Sequence, residues 1–183
     1  GSSGMPKAAR RTHGFLWEQF KVLQKIIDSK QDDVNMPVLP IVLMINLATG
    51  TPSVIADYKS HKPQSLKPAS IVEQIKAHGA NSLIASPYFV KELAKYLIQT
   101  NGHLPALRKI FTGGAPVFPE DARVLLQAFP TADVEVLYGS TEAEPIASVN
   151  GEQLAAQHDV SKGLWVGKID SSARVKIIQM HDA

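Results

Sequence analysis

Two short segments carry residue types suited to a nucleotide. Residues 113–116 read G-G-A-P, and residues 138–142, about 25 positions further on, read Y-G-S-T-E. Each follows a short apolar run, at 108–112 and 133–137. Each therefore falls where a strand of a parallel sheet would end, and open α/β sheets hold their ligands outside the carboxyl ends of the strands. The first loop offers glycine backbone. The second offers an aromatic face at Tyr138, a hydroxyl at Thr141 and a carboxylate at Glu142. A base needs a stacking surface, a phosphate needs donors, and a Mg²⁺ ion bound with phosphates needs one or two carboxylates.

Other readings of the same residues stand beside this one. Gly113 and Gly114 fit a plain strand-to-helix turn, and Tyr138 an ordinary strand-end aromatic. Thr141 and Glu142 fit a helix cap and a first-turn acid. Lys7, Arg10 and Arg11 fit a solvated basic face. Ser140 is not a nucleophile-elbow serine, since G-x-S-x-G is absent, and no G-x-G-x-x-G marks a dinucleotide site.

The elements that must position these loops alternate between strand-like and helix-like runs, which argues for a mostly parallel α/β sheet flanked by helices. Helical spacing covers 14–29, with Trp17 assigned to the core, and 40–47 reads as a buried helix closed by Gly50, with a strand left open by its continuous apolar run. Residues 52–56 read as a strand and 58–68 as a loop. A helix follows to His78, then a strand at 81–85. Ser86 caps a helix reaching about Gln99, 108–112 is a strand, 118–129 a helix and 133–137 a strand. Past Ala147 the pattern changes. Residues 163–167 and 173–179 look like strands of a new sheet, so we expect a core subdomain over 1–150 and the start of a smaller β-rich subdomain over 151–183.

Composition excludes several functions. A net charge of +2 gives no electrostatic case for nucleic acid. With no cysteine there is no disulfide scaffold, iron–sulfur cluster or thiolate metal site, which suits a cytoplasmic setting. No apolar run reaches the roughly 18 residues of a membrane span. The six histidines show no H-x-x-x-H zinc spacing.

The chain opens G-S-S-G-M-P-K, residues 1–7. Alone, G-S-S-G reads as an expression scar; with Met5-Pro6-Lys7 it makes a loop whose amides, hydroxyls and lysine suit phosphate. This loop, the P-V-L-P at 37–40 with its apolar continuation, G-T-P-S-V-I at 50–55, T-G-G-A-P-V at 112–117 and Y-G-S-T-E occur in one order. That order resembles the adenylate-forming superfamily of acyl-CoA synthetases, fatty-acyl-AMP ligases, luciferases and adenylation domains, over about residues 1–179. P-K-A-A-R-R-T-H-G-F and E-A-E-P-I-A-S-V most resemble its fatty-acid ligase and β-lactone synthetase branch.

The resemblance implies ATP and Mg²⁺ as ligands, a small carboxylic acid such as a fatty or hydroxy-fatty acid as substrate, and CoA as acyl acceptor. By resemblance, Gly113, Gly114, Ala115 and Pro116 would line the adenine pocket, and Tyr138 would stack on the base. Gly139 would let backbone approach the nucleotide beside Ser140, Thr141 would bond the α-phosphate, and Glu142 would hold Mg²⁺. Ser2, Ser3, Gly4 and Lys7 would meet the outer phosphates.

The chain also departs from the pattern. The segment 36–41 lacks a histidine that many members carry, and no Y-x-[ST]-G-D segment supplies a ribose-binding aspartate. Nor is there a match to the mobile C-terminal domain with its catalytic lysine. The expectation is a middle fragment with half an active site and no turnover of its own, whose open faces would favour pairing with a second copy. The alternatives are a free-standing, non-catalytic nucleotide-binding or self-associating remnant, and a generic flavodoxin-like binder.

Overall fold

The computed structural model describes residues 9–161 and 163–178. Strands β1 (Asn35–Pro37), β2 (Ser82–Ala85), β3 (Lys109–Gly113) and β4 (Asp133–Ser140) lie side by side in chain order and run parallel. β5 (Ala143–Asn150) and β6 (Lys168–Ile169) extend the same sheet antiparallel. The expected mostly parallel sheet is present.

Side chains alternate across the sheet with the period of two that extended backbone imposes. Leu83, Ile110 and Val134 point into one core, covered by α3 (Pro68–His78), α4 (Pro87–Thr100) and α5 (Pro119–Ala128). Ile84, Phe111 and Leu137 point the other way, against α1 (His13–Ile27) and α2 (Pro40–Thr49). A short helix, α6 (Gly151–Ala155), packs Leu154 against Val117, Ala122, Val136 and Val149.

The helices start where the sequence supplies caps. The Thr12 hydroxyl accepts the Phe15 N–H at 3.1 Å, and the Ser86 hydroxyl accepts the Phe89 N–H at 3.4 Å. Prolines open α2, α3, α4 and α5, where a missing N–H loses nothing.

Several expectations are corrected. Trp17 is 59% exposed and stacks on Phe20, because the buried stripe of α1 runs through Gln19, Leu23 and Ile27 at four-residue spacing and Trp17 falls off it. α2 is buried on one side only: Val42, Ile45 and Asn46 face inward while Met44 and Leu47 face out. Its Asn46 accepts from Asn35 Nδ2 at 3.0 Å and donates to Ser53 Oγ at 2.9 Å, so the polar group is satisfied inside the apolar helix.

Residues 52–56 make a single bridge, Ser53 to Asn35, rather than a strand, since only Asn35 exchanges backbone bonds with them. β1 itself went unread. Residues 163–167 form no strand. Gly163 and Gly167 take positive φ, which breaks extended pairing, and the strand forms after them on the existing sheet rather than on a new one. Residues 173–178 form no strand either, and Gln179 lies outside the described residues.

One ionic cluster ties the lower end of the sheet together. Asp33, 3% exposed, accepts the Lys30 N–H at 2.9 Å, Lys109 Nζ at 3.3 Å and Arg108 Nη2 at 3.2 Å. Lys109 also donates to the Asp28 carbonyl at 2.9 Å, where α1 ends. The loop at 28–33 is thereby pinned to the start of β3.

Candidate functional site

The register of β3 and β4 sets the geometry. Gly113 pairs with Leu137, so the residue after each sits at the same end of the sheet, and the G-G and Y-G pairs are neighbours. The connection from β3 to α5 is a strand-to-helix turn, as one reading of the glycines expected. Gly114 makes the turn at φ +83°, which a side chain disfavours. Gly113 is needed for a different reason: a Cβ there would lie 2.4 Å from the Leu137 carbonyl oxygen. Ala115 and Pro116 follow as exposed residues before buried Val117.

After Tyr138, β4 bulges and turns back. Ser140 pairs with Ala143, so Thr141 and Glu142 form the two-residue tip of a hairpin. This overturns the helix-cap reading: no helix starts there. Bulges re-aim side chains and recur beside functional sites. Gly139 sits in the bulge, and a Cβ on it would meet Glu144 Cβ at 2.7 Å. The glycine is thus required by the returning strand, whatever else approaches it. The Glu144–Pro145 peptide is cis.

The tip is held by residues to which the sequence reading assigned no role in the site. Arg11 donates from Nε and Nη2 to the Thr141 carbonyl, at 3.1 and 2.7 Å, and from Nη2 to Glu144 Oε1 at 3.0 Å. Gln19, buried on α1, accepts from Arg11 at 3.3 Å and donates to the same Glu144 oxygen at 3.0 Å. The Arg11 guanidinium lies over the Phe15 ring, 5.3 Å from its centroid. Arg11 is therefore not part of a solvated basic face. The available signal was the second acid in E-A-E-P, which a hairpin places beside the first and a helix-cap reading hides.

Two cavities flank the paired loops. One, of about 290 Å³, is lined by Leu23 and Ile27 of α1, Leu39 and Val42 at α2, and Ile84 and Phe111 of the sheet. The other, of about 530 Å³, lies over Ala115, Pro116, Val136, Leu154 and Trp165. Gly114, Leu137, Tyr138 and Gly139 border both. Tyr138 is 48% exposed and Trp165 44%. The structure thus brings Gly113, Gly114, Ala115, Pro116, Tyr138, Gly139, Ser140, Thr141 and Glu142 to one end of the sheet. Ser2, Ser3, Gly4 and Lys7 lie outside the described residues.

Among the described residues, no three His, Asp or Glu side chains gather as a metal cage. Glu142 at the exposed tip fits the sparser demand of Mg²⁺, which takes one or two carboxylates and completes its shell with phosphate and water. No helix among the described residues is long and apolar enough to cross a membrane.

Comparison with known proteins bears on the family and the fold. The chain is 30% identical over its whole length to an olefin β-lactone synthetase of Xanthomonas campestris pv. campestris, covering 33% of that protein. It is 28% identical to a long-chain-fatty-acid–CoA ligase of Thermus thermophilus, matching 82% of this chain and 28% of that one. The chain spans about a third of the length of the curated relatives it matches. Among solved structures, the o-succinylbenzoate CoA synthetase of Bacillus subtilis in complex with its acyl-adenylate intermediate superposes with a TM-score of 0.72. That match covers 98% of this chain and 35% of that one at 19% identity, and it speaks to the fold. The family model for AMP-binding enzymes matches residues 1–182, and the chain belongs to that family.

Proposed function

We propose that the chain is a segment of an enzyme that activates a carboxylic acid with ATP. A carboxylate oxygen attacks the α-phosphorus, pyrophosphate leaves, and an acyl-adenylate forms; a thiol, CoA, then takes the acyl group and releases AMP. The observation that carries this reading is the pairing of G-G-A-P with Y-G-S-T-E across β3 and β4, between two cavities.

The base belongs in the larger cavity, against the backbone of residues 114–116 and the Tyr138 ring, while Gly113 borders the smaller one. Thr141 donates to the α-phosphate. Glu142 holds Mg²⁺, which when bound neutralises phosphate charge. Ser2, Ser3, Gly4 and Lys7 take the outer phosphates. The smaller cavity, walled by Leu23, Ile27, Leu39, Val42, Ile84 and Phe111, takes the acyl tail, which favours a fatty or hydroxy-fatty acid. Residues 1–150 are assigned to the nucleotide-binding core, and 151–183 to the start of the subdomain that follows it. On this reading the isolated chain binds but does not turn over, because groups that position the reactants lie elsewhere.

Calorimetry with Mg·ATP tests the site. Binding by the wild-type chain should weaken about tenfold in Glu142→Gln, the loss of one charged contact. A non-hydrolysable acyl-adenylate analogue with a long alkyl tail should bind more tightly than AMP. A wild-type chain that binds neither Mg·ATP nor the analogue refutes the assignment.

A further inference from the structure

We propose that Arg11 is a positioning residue that locks the Thr141–Glu142 tip in its working place against the start of α1. The inference rests on the nucleotide reading above and adds a residue to it.

The tip needs such a lock. Thr141, Glu142 and Ala143 are all exposed, and hairpin tips with few buried contacts belong to the readily opened parts of a fold. A single guanidinium supplies two N–H groups to the Thr141 carbonyl and a third contact to Glu144, three residues further along the same hairpin. Arginine's planar fork suits this double duty; a lysine ammonium is a point charge and lacks the fork.

The lock is anchored on both sides. Gln19, 4% exposed, engages Arg11 through its oxygen and Glu144 through its nitrogen, so a buried helical residue fixes the relative position of the two charges. Arg11 sits directly before Thr12, the cap of α1, and four residues after Lys7. The start of α1 and the hairpin that carries Thr141 and Glu142 are therefore joined at one cation. The Arg11 and Glu144 side chains keep only 23% and 35% of their accessible surface, so the pair is partly shielded from solvent screening.

The role predicts a split between ligands. Adenosine uses the glycine loop and Tyr138, away from the lock. Mg·ATP uses Thr141 and Glu142 as well. Titration calorimetry on the 183-residue chain with each ligand should show Arg11→Ala weakening Mg·ATP about tenfold while adenosine stays within about twofold. Arg11→Lys should fall between wild type and alanine. Glu144→Gln keeps the side-chain shape and a neutral acceptor and should weaken Mg·ATP about threefold; it decides the matter if Arg11→Ala fails to fold.

The proposal is overturned if both variants bind Mg·ATP as wild type does, or if adenosine and Mg·ATP weaken equally, which is what general loosening would give. A wild-type chain that binds neither ligand removes the nucleotide site itself, and the lock with it. A wild-type chain that binds both, with Arg11 variants indifferent, removes only the lock.

Discussion

Asp33 offers the most quantitative test of how the sheet is held. Asp33→Ala deletes a carboxylate that is 3% exposed and accepts from the Lys30 N–H, Lys109 and Arg108. Removing one partner from a buried ion pair costs about 3–5 kcal/mol when the other charge is stranded. Here the stranding is incomplete. The Arg108 side chain is already 53% exposed and returns to water, and Lys109, 26% exposed, keeps the Asp28 carbonyl. What remains is the loss of one backbone and one ammonium contact to a carboxylate, so we expect about 2–3 kcal/mol.

In a domain of this size that is a fall in Tm of roughly 4–12 °C. Urea unfolding at neutral pH gives the free energy directly. The pH dependence adds a second constraint. Burial pushes the Asp33 carboxyl up, but the Lys30 N–H and the Lys109 and Arg108 cations outweigh it and hold it below its ordinary 3.8. A depressed carboxylate stabilises the fold above its unfolded value, and that stability disappears as pH falls through the folded value. The gap between wild type and Asp33→Ala should therefore narrow below about pH 4. Asp33→Asn, which keeps an acceptor but no charge, should lose less at neutral pH. A neutral-pH gap below about 1 kcal/mol, or one that stays constant into acid, refutes the account.

Two further outcomes follow from the site's backbone. Gly113→Ala puts a Cβ 2.4 Å from the Leu137 oxygen, so β3 and β4 must part; we expect about 1–3 kcal/mol of lost stability and impaired nucleotide binding, and unchanged unfolding refutes the close approach. Trp165 borders the larger cavity, so in a Trp17→Phe background AMP should alter its emission; an unchanged spectrum at saturating AMP would place the base elsewhere.

The sheet and its helices were legible because proline, serine and glycine punctuation sits where helices begin and end, and because β2, β3 and β4 are apolar runs of ordinary length. β1 was not, since three residues, Asn35–Pro37, carry too little pattern. β5 was hidden by what precedes it: Thr141 and Glu142, just before A-E-P-I-A-S-V-N, read equally well as a helix cap and a first-turn acid. Trp17 sits within the helical spacing of α1 but off its buried stripe, which is set by Gln19, Leu23 and Ile27. The family could be read because G-G-A-P and Y-G-S-T-E occur in a diagnostic order. Arg11, Gln19 and Glu144 could not, because their roles come from contacts across more than a hundred residues of chain.

The ridge of Gly114, Leu137, Tyr138 and Gly139 has walls on two sides, and that makes the cavities partners in one thermodynamic cycle. An occupant of either that shifts the ridge changes the shape presented to the other. The factor by which a filled apolar cavity changes affinity for the base must then equal the factor by which a bound base changes affinity for the tail. Order of arrival leaves that factor untouched. On the proposed assignment of base and acyl tail to the two cavities, the strand ends couple the two ligands through the residues both cavities share.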